Sequence, residues 1–181
     1  MSYAVVLLVE QALSAADAAQ VTSLHEEITA EGEGPVSYYV LVPMEDAAAR
    51  VEASLGTLSG GGMVGSPSLL LDSVAYDDIR KVCLEEATDA LSASLEALRA
   101  AGATAEGQVV DVAPVEALKS KVAEVDGREA IVLTRPHVVA EFFHVDWTHQ
   151  ARRALDVPVL HLLERENFDE QAGEGEGITG L

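Results

Sequence analysis

The chain has 181 residues, 49% of them hydrophobic, which fits one globular domain with a sizeable core and excludes a disordered chain. Its 31 acidic and 11 basic side chains leave a net charge of −20, which excludes electrostatic attraction to nucleic acid or to anionic membranes. Cys83 is the only cysteine, so no intramolecular disulfide can form, and a reducing cytoplasm is the expected compartment.

No apolar run approaches the ~20 residues of a membrane span. Ala4–Val9 (AVVLLV) is short and lacks the basic flank of a signal peptide. It reads instead as a first strand buried on both faces, the habit of parallel sheets. Ser14 opens a helix, and Ser14-Ala15-Ala16-Asp17 is a capping-box variant. Ala18, Val21, Leu24 and Ile28 form its apolar stripe, and Gly32-Glu33-Gly34-Pro35 stops it. His25, on this helix, is expected to be solvated. Val36–Val42 (VSYYVLV) is a second strand ended by Pro43. Ala47–Leu55 suggests a short helix. Gly56–Ser68 holds five glycines and no charge, and marks residues 56–74 as an insert loop. No G-K-S/T follows it, so it is not a P-loop.

Tyr76–Ala101 is the longest helical pattern. Ile79, Val82, Cys83, Ala87, Ala90, Leu91, Leu95 and Leu98 recur at spacings of three and four, with Gly102 as the C′ residue. Cys83 lies on that apolar face, as a core side chain rather than a nucleophile. Gln108–Val112 alternates like a third strand. A helix over Val115–Val125 follows, with Pro114 near its start and Asp126-Gly127 as a turn. Ala130–Thr134 is the fourth strand, Thr148–Leu155 the last helix, and Val157–Leu163 the fifth strand, with Pro158 suited to a sheet edge. His161 alternates within that strand as a packed or interface histidine. Residues 164–181 carry six acidic residues and four glycines and read as a flexible acidic tail. Strands alternating with helices define an α/β domain over residues 1–163, with three layers, α/β/α, and a parallel sheet.

The layout resembles the universal stress protein family. AAGATAEGQVVDVAPVEALKSKVAEVDGREAIVLT is similar to that family's third strand, following helix and fourth strand. ARRALDVPVLHLL is similar to its last helix and fifth strand, and AVVLLVEQALSAADAA more loosely to its first strand and helix. The resemblance implies a five-stranded sheet in the order 3-2-1-4-5. It also implies a homodimer through the fifth strand, Val157 to Leu163. Ligands in such sheets bind beyond the carboxyl ends of the strands where the order reverses. Here Glu10 and Gln11 follow the first strand, and Arg135, Pro136 and His137 follow the fourth.

ATP-binding members share G-x2-G-x9-G-S/T after the fourth strand, because glycines let backbone N–H groups approach phosphates. Aligned on Pro158, that pattern falls near Val132, Arg135 and Val145-Asp146. No glycine occurs between Gly127 and Gly173. Phe142, Phe143, His144 and Val145 fill the region, and Asp146 is expected to cap the last helix in place of a phosphate. No cofactor is therefore expected, with an altered adenine-nucleotide site as the alternative. Glu10, Gln11, Arg135, His137, Asp146 and Thr148 are the candidate ligand contacts. Arg135 either pairs with Glu10 or meets a carboxylate or phosphate, and His137 adds a donor or a pH response.

The same segment offers a competing chemistry. His137, Glu141 and His144 are metal-ligating types at helical spacing, with His149 five residues further on. Pro136 and the helix start near Asp146 argue against one continuous helix, and no H-E-x-x-H is present. The alternative to a metal or small-molecule enzyme is a plug of Phe142, Phe143 and Trp147 with histidines at its rim. The sequence thus points to a non-enzymatic, dimeric regulatory protein acting through partner or small-ligand binding.

Overall fold

The computed structural model describes residues 2–30, 34–44, 73–134 and 145–163. The short helix expected at Ala47–Leu55, the Gly-rich loop as far as residue 72, and the acidic tail lie outside them. Five strands occur in the described chain: β1 (Tyr3–Val9), β2 (Val36–Pro43), β3 (Thr104–Val110), β4 (Glu129–Thr134) and β5 (Val159–Leu163). The helices are α1 (Ala15–Ser23), α2 (Glu26–Ala30), α3 (Ser73–Ala100), α4 (Pro114–Glu124) and α5 (Val145–Ala154). All strand pairs are parallel, in the order β3-β2-β1-β4-β5.

Parallel strands need crossovers, and these carry helices to both faces. α1 and α3 pack together on one face, with α3 against β2 and β3, while α4 and α5 pack together on the other. Successive β1 side chains therefore enter different cores. Val5, Leu7 and Val9 join Val21, Leu98 and Leu162 on the α1–α3 side. Val6 and Leu8 join Leu118, Val122 and Ala151 on the α4–α5 side.

Local signals set most boundaries. The Ser14 side chain accepts from the Asp17 N–H while Asp17 accepts from the Ser14 N–H at 2.8 Å, completing the capping box. Gly102 closes α3 with a positive φ of 86°. Its N–H donates to Arg99 O and the Ala103 N–H to Leu98 O, a Schellman pair. At the end of α4 the left-handed residue is Asp126 (φ 52°) rather than Gly127, whose N–H reaches back to Val122 O.

Several sequence expectations shift. The first helix breaks at Leu24-His25, so Leu24 is exposed while His25 is only 2% exposed rather than solvated. Val82 is exposed, because α3 buries the narrower stripe of Cys83, Ala87, Ser94 and Leu98. β3 spans Thr104–Val110 instead of Gln108–Val112, since the Schellman turn launches the strand at once and Val112 is left exposed. β5 starts at Val159, and Pro158 precedes it, accepting from the Ala130 N–H at 3.0 Å. α5 begins at Val145, one turn before Thr148, so Asp146 lies within the helix and does not stand at its N-cap.

Gly107 marks a close approach. It pairs with Val40, and a Cβ there would run into the Val40 carbonyl oxygen and sit 2.8 Å from Leu91 Cδ1. Gly107→Ala is expected to lower stability by about 1–3 kcal/mol. A denaturant midpoint unchanged from the parent protein would refute this packing of α3 on β3.

Candidate functional site

The strand order reverses between β1 and β4, with β2 beside the first and β5 beside the second. The crevice beyond their carboxyl ends is the candidate site. At β1, the Glu10 N–H donates to Leu133 O at 3.2 Å, which carries the ladder one residue past the strand. Glu10 and Gln11 are half-buried there. The chain then turns into α1, and the Leu13 N–H donates to the buried Ser94 hydroxyl at 3.0 Å. That bond ties the crevice wall to α3.

At β4, Thr134 is buried and its hydroxyl meets His161 Nε2 at 2.8 Å. Burial first, then the Arg152 and His149 charges, hold the His161 imidazole below its ordinary value of 6.5. Neutral His161 is the form the fold accommodates.

Thr148 lies on the sheet-facing side of α5, one turn nearer its amino terminus than the fully buried Ala151. Its Oγ1 is buried and has no hydrogen-bond partner among the described residues. A buried hydroxyl left unpaired costs roughly 1–3 kcal/mol. Trp147, the preceding residue, instead packs against the α4–α5 core and borders an outer groove with Pro114, Glu116, Gln150 and Arg153.

The structure thus brings Glu10 and Gln11 to the end of β1, beside the end of β4, and places Thr148 on the buried side of α5. Arg135, His137, Glu141, His144, Phe142 and Phe143 fall outside the described residues, as does any Arg135–Glu10 pairing. Among the described residues, no group of three or more His, Cys, Asp or Glu side chains is placed to hold a metal ion. A concavity of about 420 Å³ lies at the carboxyl ends of β2 and β3, where Arg80 and Asp111 form an exposed ion pair beside Tyr76 and Met44.

Sequence reasoning missed a polar network at the opposite end of the sheet. His25 Nδ1 lies 3.0 Å from both the Val21 carbonyl and the Tyr38 hydroxyl, and Nε2 lies 3.3 Å from Glu129 Oε2. Burial first, then the Glu129 charge, push the Tyr38 phenol above its ordinary range, so it stays protonated. One signal was available: position 25 falls at i+4 from Val21 and i+7 from Ala18, both buried.

No family model and no curated protein matches the chain. Solved structures do. Universal stress protein UspA from Lactobacillus plantarum is 11% identical over 91% of this chain and 99% of that one, with a TM-score of 0.53. The hypothetical protein MJ0577 is 11% identical over 91% of this chain and 98% of that one, at 0.59. The Arabidopsis thaliana universal stress protein family protein with AMP bound is 13% identical over 92% and 94%, at 0.48.

Two outcomes are expected. Thr148→Val removes an unpaired buried hydroxyl with little change in shape. In ligand-free protein it should raise Tm by a few degrees, about 1 kcal/mol; a drop in Tm would mean the hydroxyl is satisfied in solution. For His161, the folded value lies below the unfolded one, so the unfolded chain binds the proton first. Its contribution is present above about pH 6.5 and is lost as pH falls below that. His161→Gln should flatten the stability profile below about pH 6.5, and an unchanged slope would exclude His161 as its source.

Proposed function

On the premise of a universal-stress-protein fold, we propose that the chain is a cytoplasmic, non-enzymatic regulatory or stress-response protein. It acts as a homodimer and uses a remodelled small-ligand crevice in place of a conventional ATP site. One observation carries this reading. Residues 135–155, leading out of β4, have no glycine and carry Phe142, Phe143 and three histidines. In a sheet of this order ligands bind beyond the carboxyl ends of the strands at the reversal, and phosphates need backbone N–H groups that bulky residues do not present so closely. The acidic chain adds general repulsion of a triphosphate.

The dimer rests on β5. It is an edge strand, and Val159, Leu160, His161 and Leu163 are only partly covered in one chain. Natural sheets cover or block apolar edges, and a second copy paired through Val157–Leu163 would do so. Arg152, whose Nε donates to Val159 O at 3.4 Å, borders that edge.

The unpaired Thr148 hydroxyl favours a second reading, an altered adenine-nucleotide site in which that hydroxyl donates to a ligand oxygen. Calorimetry with ATP, ADP and AMP separates the two. The first reading expects no binding at micromolar concentration. Micromolar binding that weakens about tenfold in Thr148→Val would establish the second. Light scattering after size exclusion should give a dimer mass; a monomer at micromolar concentration would remove the edge-strand proposal.

A further inference from the structure

We propose that the amino-terminal edge of the sheet, opposite the crevice, holds a second small-molecule site for a small organic ammonium ion. The cavity measures about 310 Å³, near the lower end for small-molecule sites. Thr22, His25 and Glu26 from the α1–α2 turn, Val36 and Tyr38 from β2, and Thr104 from β3 line it.

Three features make it a cation site. α1 and the 28-residue α3 both end here, because the cavity is walled by the α1–α2 turn and by Ala101–Ala103 after α3. Helix carboxyl ends carry partial negative charge. Glu26 stands in the lining, and the Glu129 carboxylate lies behind His25. Tyr38 offers an aromatic ring, the preferred neighbour of an ammonium group. Among the described residues, neither Arg99 nor Arg128 lines the cavity. Arg99 donates to Ala105 O at 2.8 Å, and Arg128 precedes β4.

The Tyr38 hydroxyl lies 3.0 Å from His25 Nδ1, and its oxygen keeps a lone pair that can accept from a donor in the cavity.

The test uses butylammonium, with butyrate as a probe of equal size and opposite charge, titrated into the full chain. The readout is the side-chain NMR signals of His25 and Tyr38. Saturable shifts with butylammonium, and none with butyrate, are expected. Tyr38→Phe should weaken binding about tenfold, and Glu26→Gln, at an exposed position, should weaken it severalfold without risk to the fold. Shifts that never saturate, an equal response to butyrate, or affinity unchanged in Glu26→Gln would overturn the site and leave only diffuse attraction to an acidic protein.

Discussion

Everything in this fold depends on β1 being paired on both edges and covered on both faces. Its backbone joins β2 and β4, and every residue from Ala4 to Val9 is buried. A strand in that position has no solvent face, so it must be apolar at each residue. AVVLLV satisfies this, and the two cores then sort by parity. With β1 fixed at the centre, the strand order reverses beside it and a crevice opens at its carboxyl end.

The two ends of the sheet are chemically different. At the carboxyl end, Thr134 and Thr148 place hydroxyls under α5 and beside β5, where Thr134 is bonded to His161 and Thr148 is unpaired. At the amino end, His25 bonds both Tyr38 and Glu129, which lie far from each other in the chain. The first arrangement leaves an unmet hydrogen-bonding demand near the crevice. The second joins titratable groups around a cavity. Low dielectric makes both more consequential than the same groups would be in water.

Local chemistry explains which parts were legible. Ser14 and Asp17 lie three residues apart, so their reciprocal cap is readable from the chain alone, and so is the Gly102 terminator. β3 was misplaced because TAEGQVV alternates poorly. Its strand character comes from pairing with β2 and from α3 lying over Gly107. His25 was misjudged because a two-residue break after α1 turns its ring inward, and its partners Tyr38 and Glu129 lie 13 and 104 residues away. Trp147 is legible as an aromatic near the site, yet the helix it sits on directs it to the α4–α5 groove.

By itself, the sequence determined the alternation of strands and helices, the buried central strand, the Ser14–Asp17 and Gly102 caps and the absence of glycine between Gly127 and Gly173. These are properties of neighbouring residues, and they follow from backbone geometry and side-chain periodicity. Only the tertiary structure decided which polar groups are buried and what they meet. Thr148 becomes an orphan and His25 a hub because burial and partnership are set by distant segments closing on the same space.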